Sequence, residues 1–175
     1  CENKRQLEVL DPADRWHGAG LQFDLRFVGQ ANPNAAYAAR FLAAVAMDAR
    51  KSHVSFHGLK LGRELIDCYD DADALVHFPK VESFGLVAAE ALCRRRKVFA
   101  ARTGGLVDIL DGLQGAQLFA TDDLRSLELA VGKWVKEGAP TAGESARSVM
   151  RARYHPAVIA RRHLEIYREV LGSRS

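Results

Sequence analysis

Two glutamates eight residues apart, Glu82 and Glu90, have side chains suited to binding a polar ligand. They bracket the start of a predicted helix whose apolar face includes Phe84, Val87 and Leu92. The free amides and the positive dipole end at a helix N-terminus favour an anion such as a diphosphate, and nearby carboxylates accept hydrogen bonds from hydroxyl groups. A ligand that carries both phosphate and sugar hydroxyls would satisfy both kinds of group.

This predicted helix lies between two apolar strands. Residues 74–78 form a buried strand that stops at Pro79, where proline removes a backbone donor, and residues 98–101 form the second strand. Ser83 is the expected cap of the helix, and Gly85 lets another molecule approach its first turn. The sequence therefore predicts a strand, a turn, a helix and a second strand in succession.

Strands alternate with helices along the rest of the chain. Further strands are predicted at 23–28, 53–57 and 116–119, and further helices at 35–50, 61–69, 107–110, 124–134 and 156–171. We expect Asn34 and either Thr121 or Asp122 to cap helices, and Asp11-Pro12 to form a loop. This order favours an α/β fold, a parallel sheet with helices on both faces and its ligand at the carboxyl ends of the strands.

Composition bounds the class of protein. At 175 residues, with 48% hydrophobic and 27% charged residues, we expect one globular domain without a membrane span or signal peptide. The three cysteines form no CxxC pair, which favours a reducing, cytoplasmic compartment with Cys68 and Cys93 as buried hydrophobes. A net charge of +3 is too small to indicate nucleic acid, but it suits phosphorylated ligands or an anionic membrane surface.

Residues 82–90, ESFGLVAAE, resemble the E-x7-E signature of retaining GT-B glycosyltransferases of the glycogen synthase and bacterial mannosyltransferase type. The strands on either side and the Gly104-Gly105 turn stand in the family's order, and the resemblance extends from about residue 21 onward. It implies a Rossmann-like fold that forms one half of a GT-B enzyme. It also implies a nucleotide-diphosphate sugar as donor substrate, with no further cofactor and no divalent metal.

The resemblance implies that Glu90 binds the nucleotide ribose and that Glu82 is the catalytic residue beside the transferred sugar. The residues implied around the diphosphate, the base and the glycine turn are Ser83, Phe84, Gly85, Leu86, Gly58, Leu59, Lys60, Gly104 and Gly105. Simpler alternatives stay open: two solvated carboxylates, a tight turn at the glycines, and a surface lysine at position 60. His53 and His57 give no metal pattern, because residues four apart on a strand do not face one point.

Two features depart from the family. Its first strand, with a glycine-rich turn and the Arg and Lys that neutralise the diphosphate, has no match here. Residues 1–175 are therefore expected to be a single donor-nucleotide-binding domain, inactive alone, that lacks an N-terminal acceptor domain or a partner subunit. The family also has glycine and proline where this chain has Arg95 and Lys97, and the basic run 94–97 suggests a solvated helix C-terminus.

Three functions remain open from the sequence. The first is the donor half of a retaining glycosyltransferase. The second is a non-catalytic relative that serves as a structural or assembly domain, and the third is a nucleotide-binding regulator without sugar chemistry. The regulator predicts nucleotide affinity that does not depend on Glu82.

The last predicted helix, residues 156–171, has an apolar side and a basic side. The apolar residues are Val158, Ile159, Ile166, Tyr167 and Val170. The family's terminal helix crosses back to the other domain, so part of this apolar surface should be uncovered here. The alternative is a helix that lies on anionic lipid and holds the protein peripherally at the membrane.

Overall fold

The computed structural model describes residues 2–172. Within that range helices and strands alternate as predicted. The helices are α1 (Gln6–Gly18), α2 (Ala36–Val45), α3 (Gly62–Asp70), α4 (Leu86–Cys93), α5 (Gly105–Leu110), α6 (Leu124–Lys136), α7 (Gly143–Tyr154) and α8 (Pro156–Gly172), and the strands are β1 (Leu25–Phe27), β2 (Val54–Phe56), β3 (Ala74–His77), β4 (Lys97–Ala101) and β5 (Ala116–Phe119). Short 3-10 turns lie at Glu2–Lys4 and Asp48–Arg50.

Every strand pair is parallel. Strands β1 and β2 form one ladder, and β3, β4 and β5 form a second in that order. Strand β4 is buried on both faces, since Val98 and Ala100 pack with α4, α5 and α7, while Phe99 and Ala101 pack with α1, α2 and α6. Because neighbouring residues of a strand point to opposite faces, helices cover both sides of this sheet. The predicted α/β class and layer order are confirmed.

The expected loop at Asp11-Pro12 is wrong. Helix α1 continues through Pro12 to Gly18, although proline removes a hydrogen bond inside a helix. Leu10, Ala13 and Trp16 lie on its buried face, and the Trp16 indole N–H donates to the Glu128 carbonyl oxygen at 3.0 Å. Packing of this face against the core outweighs the local cost of the proline.

The expected helix caps are also wrong. Helix α4 begins after Gly85, whose φ of 92° is left-handed, and the Ser83 side chain does not cap it. The N–H of Asn34 donates to the side chain of Asn32, and α2 begins at Ala36 without a side-chain cap. Helix α6 is capped by Asp123, whose carboxylate accepts from the Ser126 N–H at 2.9 Å.

Helix α2 ends five residues earlier than residue 50, at Val45. The Arg50 guanidinium donates to the Asp14 carboxylate on α1 and to the Ala44 carbonyl oxygen. These bonds hold residues 48–50 in a separate turn. A tertiary ion pair therefore sets this boundary, and no local signal marks it.

The C-terminus of α4 ends in a turn with Arg95 in the left-handed region, at φ 62°. The N–H of Arg95 donates to the Leu92 carbonyl, and the N–H of Arg96 donates to the Ala91 carbonyl, both at 2.9 Å. This pattern terminates many helices, and glycine is its usual left-handed residue. The left-handed conformation of Arg95 gives a physical reason for the glycine that the resemblance implies at this position.

Arg95→Gly should therefore stabilise the protein by about 0.5–1 kcal/mol. A left-handed residue with a Cβ costs about 1–2 kcal/mol, and the extra freedom of unfolded glycine takes back about half of that. Urea unfolding measures the difference. Arg95→Ala is the control, because it removes the side chain and keeps the strain, and it should leave stability within about 0.5 kcal/mol of the parent. Equal stability for the glycine and alanine variants would show that the left-handed backbone at Arg95 is not strained.

The terminal helix α8 contains no buried residue. Ile166 and Tyr167 are 53% and 58% exposed, whereas Val158 and Ile159 near its start are half-buried. The uncovered apolar surface expected here is confirmed. No helix within residues 2–172 is long and apolar enough to cross a membrane.

The cysteine expectation needs correction. Cys68 and Cys93 are half-buried and not buried as predicted. Cys68 lies on α3, a helix without a buried residue, and Cys93 is the last residue of α4. Both positions are at the margin of the packed layers.

Candidate functional site

The loop before α4 packs directly on the glycine turn after β4. The N–H of Gly105 donates to the Glu82 carbonyl oxygen at 3.1 Å. A Cβ on Gly104 would lie 1.9 Å from that same oxygen, and a Cβ on Gly105 would lie 2.5 Å from the Ser83 carbonyl oxygen. Both glycines are needed because backbone approaches them this closely. The backbone in contact with them belongs to this chain, so their contact with a ligand stays a prediction.

Gly85 has a similar explanation. A Cβ there would lie 2.7 Å from Leu106 Cδ2, and the left-handed φ of this residue also favours glycine. The side chains of Phe84 and Leu86, on either side, are exposed at 44% and 63%. The first turn of α4 therefore presents exposed side chains next to amides that lack partners within the helix.

The Glu82 carboxylate forms a cluster with Lys4 and His77. Its Oε2 atom lies 2.6 Å from Lys4 Nζ and accepts from His77 Nε2 at 2.8 Å. His77 is the last residue of β3, and Lys4 comes from the 3-10 turn at the start of the chain. Within residues 2–172 no group bonds the other oxygen, Oε1, which leaves it able to accept from a hydroxyl group.

The cluster keeps Glu82 ionised. Burial alone would raise the pKa of Glu82, but the bonds from Lys4 and His77 outweigh it and lower the pKa to about 2. Burial lowers the pKa of His77, against the opposing effect of Glu82. At neutral pH the site therefore contains a carboxylate, an ammonium group and a neutral imidazole.

The N-terminal segment is fixed against the same loop by several bonds. The Asn3 side chain donates to the Val81 carbonyl at 2.8 Å and accepts from the Val81 N–H at 3.0 Å. The N–H of Lys80 donates to the Asn3 carbonyl oxygen, also at 2.8 Å. Lys4 is thus positioned by backbone contacts as well as by its charge.

Glu90 lies on the exposed side of α4, and its Oε2 atom accepts from the Tyr69 hydroxyl at 2.9 Å. Burial, and then the Glu90 charge, raise the pKa of Tyr69 far above its usual value, so the hydroxyl stays a donor. The same hydroxyl lies 3.3 Å from the Val87 carbonyl oxygen. The tyrosine holds the Glu90 side chain through one oxygen and leaves the second exposed.

The loop after β2 lies at the carboxyl end of that strand. The Gly58 carbonyl accepts from the Gly29 N–H at 2.9 Å, and Leu59 is 54% exposed. Lys60 Nζ lies 3.6 Å from Glu64, so its charge is partly offset. These contacts are local, and a role for Gly58, Leu59 and Lys60 in base binding stays a prediction.

The sequence and the fold have recognisable relatives. A family model described as Glycosyl transferases group 1 matches residues 2–137. This chain belongs to the glycosyl transferases group 1 family. No curated protein sequence matches this family member.

Solved glycosyltransferases share the fold of this group 1 member. Sucrose-phosphate synthase from Thermosynechococcus elongatus superimposes with a TM-score of 0.76 at 24% identity, over 93% of this chain and 42% of its own. Anabaena HepE in complex with UDP and glucose superimposes with a TM-score of 0.82 at 17% identity, over 97% of this chain and 46% of its own. A mutant of S. aureus TarM superimposes with a TM-score of 0.80 at 17% identity, over 94% of this chain and 33% of its own. The chain has the Rossmann-like fold of half a GT-B enzyme, and it spans less than half the length of these proteins.

Three residues of this candidate site are not predicted from the sequence: Lys4, His77 and Tyr69. Lys4 lies in contact with Glu82. Lys4 is 78 residues from Glu82 and Tyr69 is 21 residues from Glu90, so no local spacing connects them. His77 had a usable signal, since it ends a predicted strand at the edge where α/β proteins bind ligands.

Glu82→Gln should destabilise this group 1 domain at neutral pH by about 1–2 kcal/mol, a value discounted for the solvent exposure of Lys4. The folded pKa of about 2 lies below the ordinary value of 4.5. The stabilisation is therefore complete above about pH 4.5 and disappears as the pH falls towards 2. Urea unfolding between pH 2 and 7 measures it. Glu137→Gln, which removes an exposed carboxylate paired with Lys133 at 3.7 Å, is the control. A constant difference between parent and Glu82→Gln across this range would contradict the assignment.

Proposed function

We propose that residues 1–175 form a single domain that binds the nucleotide-diphosphate sugar donor of a retaining glycosyltransferase. The complete enzyme then transfers the sugar to an acceptor held by a second domain or subunit. The observation that carries this proposal is the Glu82 carboxylate, held by Lys4 and His77 beside the first turn of the helix that carries Glu90.

Each part of the site has a distinct chemical role. The Lys4 ammonium group and the open amides at the start of α4 offset the charge of the donor diphosphate. Glu90 accepts hydrogen bonds from the ribose hydroxyls through the oxygen that Tyr69 leaves exposed. Glu82 accepts a hydrogen bond from a hydroxyl of the transferred sugar through Oε1. His77 orients the Glu82 carboxylate through its bond to Oε2. The glycine turn sets the position of the Glu82 loop.

The resemblance to retaining enzymes implies that the donor's own phosphate assists departure of the nucleotide. The protein then supplies positioning and charge stabilisation and needs no covalent nucleophile. A fixed ammonium group beside the diphosphate acts in this way, because negative charge on the leaving group increases as the glycosidic bond breaks.

Calorimetric titration with UDP, GDP and ADP tests the proposal. One of the three should bind with a micromolar to millimolar Kd, and the complete protein should release that nucleotide from its sugar conjugate. Lack of binding by all three nucleotides would refute donor binding. Nucleotide binding that is unchanged in Glu82→Gln and Lys4→Gln, without sugar transfer, would favour the regulator.

The non-catalytic alternative rests on Arg95 and Lys97 and on the family's first strand, which has no match in residues 1–175. Arg95 precedes β4 and Lys97 is its first residue. Glu82 and the glycine turn lie beyond the carboxyl end of this strand. A five-residue strand spans roughly 16 Å. The departures at Arg95 and Lys97 therefore lie away from the proposed donor site. This position weighs against loss of function through these two residues.

We propose that the uncovered apolar side of α8 packs on the second domain. Ile166 and Tyr167 supply exposed apolar area, which on a folded surface often marks an interface. Co-sedimentation with anionic liposomes that contain no phosphatidic acid tests the lipid alternative, and we expect no binding at 50 or 500 mM salt. Strong binding at low salt that is lost at high salt would assign α8 to the membrane surface, because salt screens charge attraction beyond about 8–10 Å.

A further inference from the structure

A group of four arginines surrounds a cavity at the end of the sheet opposite the glycine turn. Three of them follow the end of α4 and one lies on α7. The cavity has a volume of about 200 Å³ and is lined by Asp70, Cys93, Arg94, Arg95, Arg96 and Arg147. It lies beside the amino end of β4, so the length of that strand separates it from Gly104.

Positive charge exceeds negative charge around this cavity. Asp70 is its lining carboxylate; it pairs with Arg94 and lies 3.7 Å from Arg96. Glu144 lies 3.6 Å from Arg147 and 4.0 Å from Arg95, and its side chain is exposed to solvent. Burial raises the pKa of the Cys93 thiol, which therefore stays neutral. Four guanidinium groups thus meet two carboxylates, Asp70 and Glu144, which leaves an excess of positive charge.

The arginine side chains are not used to cap the preceding helix. The last carbonyls of α4 already accept from the backbone N–H groups of residues 94–96. The Nε atom of Arg96 is buried and has no hydrogen-bond partner among residues 2–172. A buried polar group without a partner is uncommon and costly, and Arg96 is one of the residues that line the cavity. The solvated helix C-terminus expected from the sequence does not account for this arrangement.

We propose that this arginine cluster, Arg94, Arg95, Arg96 and Arg147, is a binding site for a phosphate monoester, separate from the donor site. The planar fork of guanidinium donors matches phosphate oxygens in pairs. A doubly charged monoester would offset the excess positive charge of the arginines that line the cavity. A soluble phosphorylated metabolite and a phosphatidic acid headgroup share this chemistry.

Titration with glycerol phosphate, at constant ionic strength and in the Lys4→Gln background, tests the site. Lys4→Gln removes the ammonium group that would bind phosphate near Glu82. The double variant Arg95→Gln/Arg147→Gln should lower the affinity at least 10-fold. The matched control Arg153→Gln/Arg168→Gln removes the same charge elsewhere and should bind like the parent. Equal affinity for the Arg95→Gln/Arg147→Gln variant and the parent would overturn the proposal.

Two further readouts locate the ligand and its source. The Nε–H resonance of Arg96 should shift on addition of glycerol phosphate. Vesicles containing phosphatidic acid distinguish the sources: binding to vesicles alone, lost in the double variant, would assign the site to a lipid headgroup. If neither glycerol phosphate nor these vesicles bind, the proposal is wrong.

Arg95→Gly separates binding from folding. This variant is expected to be more stable than the parent, so weaker phosphate binding in it cannot result from unfolding. We expect at least 3-fold lower affinity together with a higher midpoint of urea unfolding. A more stable variant with unchanged affinity would remove Arg95 from the phosphate site.

Discussion

Glu90→Gln should weaken nucleotide binding by about 1–3 kcal/mol, because hydrogen bonds to a charged acceptor contribute that much. This corresponds to roughly a 5- to 150-fold higher Kd. Glu90 is exposed and contacts Tyr69 through one oxygen, so the amide should leave the fold intact. Calorimetric titration with the best of UDP, GDP and ADP measures the change.

Two comparisons make the Glu90 result specific. Glu137→Gln removes an exposed carboxylate from the end of α6 and should leave the nucleotide Kd unchanged. Tyr69→Phe removes the hydroxyl that orients Glu90 and should give a smaller loss than Glu90→Gln. Equal affinity for Glu90→Gln and the parent would exclude Glu90 from the ribose site.

The periodicity of apolar residues predicted most of the fold. Strand β4 reads as a continuous apolar run because both of its faces are buried, and its neighbours β3 and β5 were predicted within one or two residues. Helix α1 was not predicted in full. The cost of Pro12 is visible locally, whereas the burial of Trp16 that offsets it depends on α6, more than a hundred residues away.

Some residues of the candidate site can likewise be predicted from the sequence, and others cannot. The family resemblance of residues 82–90 and of the elements around them makes both glutamates candidates, because the two positions belong to one short segment. Lys4 comes from the other end of the sequence, and only the packing of the N-terminal turn on loop 80–82 brings it to Glu82. Contacts between distant segments leave no periodic pattern in a sequence, so their partners could not be predicted.

The glycine turn shows a close backbone approach within the chain itself. Gly104 and Gly105 were expected where backbone passes next to a ligand. The close approach exists, but the neighbouring atoms belong to residues 82–84 of the same chain. Substitution at this turn should therefore destabilise the fold. Any effect on ligand binding should follow from the displaced Glu82 loop.

Gly104→Ala should destabilise the protein by about 2–5 kcal/mol, from about 1–2 kcal/mol of left-handed backbone strain and about 1–3 kcal/mol of overpacking. Gly104 has φ 47° and ψ −137°, a combination that residues with a Cβ rarely adopt. The new methyl group would lie 1.9 Å from the Glu82 carbonyl oxygen, so the loop must move. Thermal unfolding should show a decrease in Tm of roughly 4–20 °C.

Gly112→Ala is the matched control for this prediction. Gly112 also has a left-handed φ, 71°, but nothing lies within 4 Å of the position that a Cβ would take, so only the backbone strain of about 1–2 kcal/mol applies. The excess cost at Gly104 therefore measures the contact between the glycine turn and the Glu82 loop. Below its Tm, Gly104→Ala should also bind nucleotide more weakly than Gly112→Ala, because Glu82 is displaced together with its loop. Equal destabilisation by the two substitutions would show that this contact contributes nothing to the fold.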